Sequence, residues 1–483
     1  MKFRSFDKYT SITKENVPYL RQLAADVSQS PYRPKAHICP PCGLLNDPNG
    51  LCWYEGYYHV FYQWYPFGPS HGMKHWAHVK SRDFADWEWC DQILIPSEPY
   101  EKNGCYSGNA FVNPKDGNCY LYYTANYKTG TGRVPKQAAA IMTPQGSIRK
   151  YEGNPVIDGA PEGISGDIRD PFVFEQDGCY YMLLGGSGLD GKGRLLLYSG
   201  LRQLWPAYTV CVHGCIRIIL DGKETGLGTM VECPGYIRVD GQDVLFLSLI
   251  GLAPKGDRYH NQFTSLALIG ELDIPNMEFK ACWEDEADCG FDFYAPQPFY
   301  GKDGSPMVLG WFGCGEQHLP EDSYHWRHAL TLPRKLHIRE ERLYMTPAPE
   351  AIRAFGAPAS HSETPVSRTE APISSTEPVP PGPFIQPAPL SCLQWSFEND
   401  KRIHTLSIGG PMDYWTLTID MSDRTVTWDR SNIKLLPVPA YGTVRRCSFT
   451  QCSHMDIDIF MDNSFVEIYI QNGERVLSGR IYL

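Results

Sequence analysis

No apolar run in this chain is long enough to cross a bilayer as a helix, which removes helical membrane proteins from consideration. Residues 1–30 also lack the apolar centre of a secretory leader, so a cytoplasmic protein is expected. Positive charge is in deficit: 44 Lys and Arg stand against 55 Asp and Glu, a formal charge of −11, and no long basic run occurs. Neither nucleic acid nor a membrane is therefore an expected partner. A disulfide framework is missing too, because the 16 cysteines are scattered through 483 residues. They read as free, mostly buried thiols in a reducing compartment. Cys39 and Cys42 have redox-motif spacing, but no second pair follows for zinc and no βαβ pattern surrounds them.

Aromatic residues are what the chain has in quantity, with 29 Tyr, 21 Phe and 12 Trp. Such a composition suits strands and sugar-binding surfaces. Val17, Leu20, Leu23 and Val27 recur at helical spacing and predict one short helix within residues 13–28. From residue 40 the pattern becomes strand, glycine turn, strand. The turn glycines are Gly56, Gly117, Gly178, Gly241 and Gly304, with a period of about sixty residues. Five copies predict five blades of an all-β propeller over residues 32–345, behind a helical lead-in at 1–31. Residues 346–389 are Pro-rich and read as a linker or surface wrap, including Pro378-Val379-Pro380-Pro381-Gly382-Pro383. Short alternating strands over 390–483 predict a β-sandwich.

The repeat also supplies phase. Asp47 lies nine residues before Gly56, Asp170 eight before Gly178, and Glu232 nine before Gly241. Three carboxylates thus occupy nearly one place in three repeats, and innermost strands would bring them to one channel mouth. Two carboxyls in different environments can divide the labour of acid and of base or nucleophile, as glycosidic cleavage requires. A calcium site is the competing use of such a cluster. Arg169 beside Asp170 speaks for catalysis, since a guanidinium seldom neighbours a bound cation.

At these positions the chain reads Asn46-Asp47-Pro48-Asn49-Gly50, Arg169-Asp170-Pro171 and Glu232-Cys233-Pro234. In order and separation these resemble the three signature motifs of glycoside hydrolase family 32, which holds invertases, sucrose-6-phosphate hydrolases, inulinases and levanases. Phe61-Tyr62-Gln63, Tyr106-Ser107-Gly108, Phe293-Tyr294-Ala295-Pro296-Gln297 and Gly310-Trp311 add to the likeness. So do Phe465-Val466-Glu467-Ile468-Tyr469 and Arg480-Ile481-Tyr482 near the end. The resemblance implies a five-bladed propeller with a β-sandwich and a retaining mechanism at the fructosyl C2. Asp47 would be the nucleophile and Glu232 the acid and later the base. Asp170 would hold fructose hydroxyls, with Arg169 orienting its neighbours. Glu232 needs a raised pKa for that work, and apolar Val231 and Cys233 beside it are expected to help. No cofactor or metal is implied.

Asn46, Gln63, Tyr106, Ser107, Tyr294 and Trp311 are the further sugar-contacting candidates that the motifs mark, together with Trp76. His71, His75 and His78 have a ligand-like spacing, but strands flank them, so a zinc helix is not expected. Pro69-Ser70-His71-Gly72-Met73-Lys74-His75-Trp76 is similar to the variant in the family's sucrose-6-phosphate hydrolases. It exchanges an apolar platform for imidazole and ammonium groups, so His71 and Lys74 are expected on the rim as phosphate contacts. The expected substrate is thus a sucrose-type β-fructofuranoside, free or phosphorylated. Fructan hydrolysis, fructosyl transfer and a non-catalytic fructoside-binding propeller remain alternatives.

Overall fold

The computed structural model describes residues 6–130, 132–200, 211–315, 318–362, 384–436 and 442–483. Glu55-Gly56, Asp177-Gly178 and Asp240-Gly241 put both turn residues at positive φ: 49° and 80°, 53° and 74°, 49° and 85°. This is the two-residue turn whose twist matches the strands it joins. Pairing resumes directly, with Tyr54 opposite Tyr57, Gln176 opposite Cys179 and Val239 opposite Gln242. At the other two repeats the loop is longer. Val112 pairs with Cys119 and Tyr300 with Pro306, so only the glycine of the expected tight turn is kept.

These hairpins build a nearly all-β N-terminal domain. Its first sheet runs Gly43–Tyr54, Tyr57–Tyr65, His75–Ser81 and Glu88–Trp89. A second holds Ala110–Val112, Cys119–Thr129, Gly132–Met142 and Ile148–Lys150. A nine-stranded sheet follows, with Ile164–Gln176 at one edge and Met230–Val239 at the other. Its two halves meet where Cys211–Leu220 and Glu278–Glu286 pair in parallel. The last sheet of the domain contains Tyr294–Tyr300, Pro306–Phe312, Arg334–Arg339 and Arg342–Pro347. Trp326 and Arg327 then return to pair in parallel with Gly43 and Leu44, tying late chain to the first sheet. The helix Val17–Val27 buries Leu20, Leu23 and Val27 in the core that also takes Leu44, Val60 and Leu309.

The C-terminal sandwich packs two five-stranded sheets around Trp395, Trp415, Trp428, Ile459 and Ile468. Of the span expected as linker, 363–383 lies outside the described residues. Its two ends are not free chain: Ala359–Ser362 pairs with Leu393–Ser396, and Phe384–Ile385 pairs with Ser407 and Ile408. Both ends are thereby edge strands of the two sandwich sheets.

A buried polar network joins the two domains. Glu467 accepts hydrogen bonds from His37 Nε2 (3.1 Å), the Leu332 amide (2.6 Å), Arg334 Nη2 (2.8 Å) and the Tyr469 hydroxyl (2.6 Å). His37 Nδ1 lies 2.9 Å from Asp462, so both ring nitrogens face carboxylates. Burial alone would lower the His37 pKa, but Asp462 and Glu467 hold it up at about 9. Burial likewise opposes ionisation of Glu467, yet Arg334 and His37 keep it down at about 2. Removing one partner strands the others as buried charges, so Glu467→Gln is expected to cost about 3–5 kcal/mol in urea unfolding. The His37 contribution is fully present below its unfolded value of 6.5 and is lost as pH rises through about 9. An unchanged urea midpoint in Glu467→Gln would show that the network contributes nothing.

Candidate active site

The same irregularity recurs in four strands that face one another. Pairing registers slip between Leu45 and Pro48, Arg169 and Phe172, Glu232 and Gly235, and Tyr294 and Gln297. Each slip encloses or abuts a proline (Pro48, Pro171, Pro234, Pro296), which cannot donate to the ladder and belongs at a bulge. Asp170, Cys233 and Ala295 take positive φ there, at 65°, 43° and 50°. The bulge turns the residue before each proline away from its own sheet. Asp47, Asp170 and Cys233 are therefore equivalent positions, while Glu232 sits one residue earlier, equivalent to Arg169 and Tyr294.

Asp47 lies inside a ring of donors. Its Oδ2 accepts from Ser107 Oγ at 2.5 Å and Gln63 Nε2 at 3.3 Å, with the Cys233 thiol at 3.7 Å. Its Oδ1 has Asn46 Nδ2 at 3.1 Å. Asn46 also donates to Gln63 Oε1 at 2.9 Å and receives the Lys74 ammonium at 2.6 Å, and Gln63 reaches Ser107 as well. Burial pushes the Asp47 carboxyl upward; the Ser107 hydroxyl opposes this and the Glu232 charge adds to it.

Cys233 links the acids. Its amide donates to Asp170 Oδ2 at 3.0 Å, and its thiol is 3.5 Å from the same oxygen. The Asp170 amide is anchored on Thr124 Oγ1 at 2.8 Å. Burial raises Asp170 to about 7, aided by Glu232 and opposed by Arg169. Glu232 receives Arg169 Nε on one oxygen at 2.9 Å and the Tyr294 hydroxyl on the other at 2.8 Å. Val231, expected as an apolar neighbour of that carboxyl, is instead buried in the core of its own sheet. Strand alternation sends it to the opposite face. Each of the three acids has at least one oxygen on N–H, O–H or S–H donors, an arrangement that holds carboxylates in place for chemistry rather than sharing them with a hard cation.

Trp76 and Lys74, two of the expected substrate contacts, are buried. Trp76 is fully buried with Phe61, Leu94 and Tyr123, its Nε1 donating 2.9 Å to the Tyr106 carbonyl; sheet packing claims the ring before a sugar can. Lys74 is only 3% exposed, below Asn46 rather than on a solvated loop. Burial lowers it to about 7, with Asp47 opposing and Lys8 adding to the fall. His71 meets the Trp311 ring edge-on at 6.4 Å and is held well below its usual pKa by Lys74, then by burial. Trp311 in turn contacts Tyr294 at 6.2 Å and His328 at 4.9 Å. His328 meets Arg480 of the sandwich at 3.1 Å, so the C-terminal domain supports this wall. Tyr106 is half-buried beneath Arg133.

Several site residues carried no usable sequence signal. Cys233 counted only as an apolar flank of Glu232, although its place before Pro234 matches Asp47 before Pro48. The segment before the helix carried no site signal, yet the Lys8 carbonyl accepts the Met73 amide at 2.7 Å, and the Ile12 amide donates to His75 Nε2 at 3.2 Å.

This fold and acid cluster are those of a glycosidase, and the comparisons agree. Models of the glycosyl hydrolases family 32 N-terminal domain and of the family 32 C-terminal region match residues 37–347 and 367–482. The chain belongs to glycosyl hydrolase family 32, and its type is that of the fructoside-cleaving β-fructofuranosidases. A sucrose-6-phosphate hydrolase of Staphylococcus xylosus is 32% identical, over 100% of this chain and 93% of that protein. One from Bacillus subtilis is 33% identical over 94% and 90%. The structure is similar to that of a Lactobacillus gasseri sucrose-6-phosphate hydrolase, with TM-score 0.80, 27% identity and coverage of 98% and 93%. It is also similar to a mutant Bombyx mori β-fructofuranosidase in complex with sucrose, with TM-score 0.79, 30% identity and coverage of 97% and 93%.

Proposed function

We propose that this chain is a retaining β-fructofuranosidase whose substrate is sucrose 6-phosphate. The observation that carries this reading is the meeting of Asp47, Asp170 and Glu232 around Cys233, each acid held by its own donors. Asp47 attacks the fructosyl C2 while Glu232 gives its proton to the glycosidic oxygen, and glucose 6-phosphate departs. Water, deprotonated by Glu232, then breaks the Asp47 ester and releases fructose with its configuration retained. Oδ1 is the attacking oxygen in this scheme, because Oδ2 is occupied by Ser107, Gln63 and Cys233 and is the poorer nucleophile. Asp170 accepts hydrogen bonds from fructose hydroxyls. Asn46, Gln63 and Ser107 position Asp47, Lys74 positions Asn46, and Arg169 and Tyr294 position Glu232.

The architecture assigned to this activity is a five-bladed propeller over 32–345, in which the nine-stranded sheet counts as two blades sharing an edge. The lead-in 1–31, the connecting span 346–389 and the sandwich 390–483 complete the division. Among the described residues no helix is long and apolar enough to cross a membrane. A cytoplasmic site of action fits the substrate, since a phosphate dianion does not leave the compartment in which it is formed.

Purified enzyme given sucrose 6-phosphate, sucrose and a fructan is expected to favour the phosphate ester by about tenfold or more in kcat/KM, as one charge-assisted contact allows. Fructose and glucose 6-phosphate should appear in equal amounts. Preference for plain sucrose or fructan would overturn the substrate; accumulation of fructosylated sugars in place of free fructose would overturn hydrolysis.

A further inference from the structure

The departing half of the proposed substrate carries a dianion, and the cations around the pocket differ in whether they can meet it. Lys74 is buried against Asn46, and His71 is kept neutral beside it. Arg133 and Arg169 instead converge on one oxygen, Asp167 Oδ1, at 3.0 and 3.1 Å. Asp167 is 55% exposed, and the Arg133 and Arg169 side chains, at 19% and 14%, reach solvent only in part beside it. Arg169 shares its charge between Asp167 and Glu232, while Arg133 meets Asp167 through Nη1 alone and keeps its Nη2 donors for a further acceptor. Arg133 Nε is buried with no hydrogen-bond partner, and its guanidinium lies over the Tyr106 ring at 5.6 Å. The same Arg169 holds Glu232 Oε1 through its Nε at 2.9 Å.

From the acid outward the order is therefore Glu232, Arg169, Asp167, Arg133. An oxygen that takes its proton from Glu232 must lie within hydrogen-bond reach of it. Arg169 and then Arg133 are the cations reached next from that position. Strand packing holds this rim: a Cβ on Gly166 would stand 2.5 Å from the Arg133 carbonyl oxygen, so only glycine lets the two strands approach so closely.

We propose that Arg133, with Arg169 and backed by Asp167, recognises the phosphate on the glucosyl half of the substrate. A planar guanidinium with free donors suits a phosphate bidentately, whereas an ammonium offers a point charge. The inference rests on the sucrose 6-phosphate reading above.

The test measures kcat/KM for sucrose 6-phosphate and for sucrose in the wild type, Arg133→Gln, Arg133→Lys and Lys8→Ala, with inhibition by glucose 6-phosphate and by glucose in each. Arg133→Gln is expected to lower kcat/KM for the phosphate ester about tenfold or more and for sucrose less than about threefold. Its inhibition by glucose 6-phosphate should weaken in parallel, that by glucose should not, and Arg133→Lys should recover part of the loss. Lys8→Ala, which removes a cation whose charge acts on both His71 and Lys74, should leave the preference intact. If the wild type shows no phosphate preference, the substrate reading itself fails. If it does and Arg133→Gln keeps that preference, or loses both substrates in proportion, only the Arg133 assignment falls. Transfer of the effect to Lys8→Ala overturns it too, by placing the phosphate against the N-terminal segment. Should Arg133→Gln melt early, Arg133→Lys carries the decision: full retention of preference with an unchanged melting temperature leaves charge alone responsible and removes the bidentate contact.

Discussion

Asp47→Asn is expected to abolish turnover, by at least about 10⁴-fold in kcat, while the protein stays folded. An amide has nearly the shape of the carboxylate and can still accept from Ser107 and Gln63, so the donor ring around it has partners left to satisfy. What it cannot do is form the ester with the fructosyl C2. The loss should fall on every fructoside alike, because both half-reactions pass through that bond. The measurement is fructose release over hours, with circular dichroism and a melting curve as the check on folding. Hydrolysis at a rate near that of the wild type would remove Asp47 from the nucleophile's place.

Glu232→Gln is expected to behave differently from one substrate to the next. A general acid contributes about 10²–10⁴-fold where the leaving oxygen is strongly basic and much less where it departs unaided. Cleavage of sucrose-type substrates should therefore fall by that factor, and cleavage of an aryl fructoside should fall far less. The glutamine oxygen can still accept from Arg169 Nε, and its NH2 can donate to the Tyr294 hydroxyl oxygen in place of the bond that hydroxyl gave, so geometry is largely kept. With the acid gone, deglycosylation also loses its base, and added azide should restore that step alone. An equal loss on both kinds of substrate would make Glu232 a binding group.

The hairpins and the three acids were legible in the sequence for a local reason. An Asp-Gly or Glu-Gly pair accepts positive φ at both positions, which forces a two-residue turn, and alternation then carries phase backward along the preceding strand. Asp47, Asp170 and Glu232 could be aligned by counting from such turns. The helix at Val17–Val27 was equally local, since Leu20, Leu23 and Val27 share one face. The loops after Val112 and Tyr300 resisted the same reasoning because a turn glycine does not set loop length.

Other features depended on contacts between residues far apart in the chain. Lys74 reads as a phosphate contact on the rim until the strands behind it bury its stem and point its ammonium at Asn46. Trp76 reads as a sugar platform until the first two sheets close over it. Asp167 and Arg133 carry no motif and meet only where neighbouring strands converge, and Arg480 reaches Trp311 through His328 from the other domain. The sequence by itself determined the repeat, its turns and the phase of its acids, because each rests on backbone preferences spanning a few residues. The tertiary structure alone decided which cations are buried and which stay free to meet a substrate, because burial depends on what the rest of the chain packs against them.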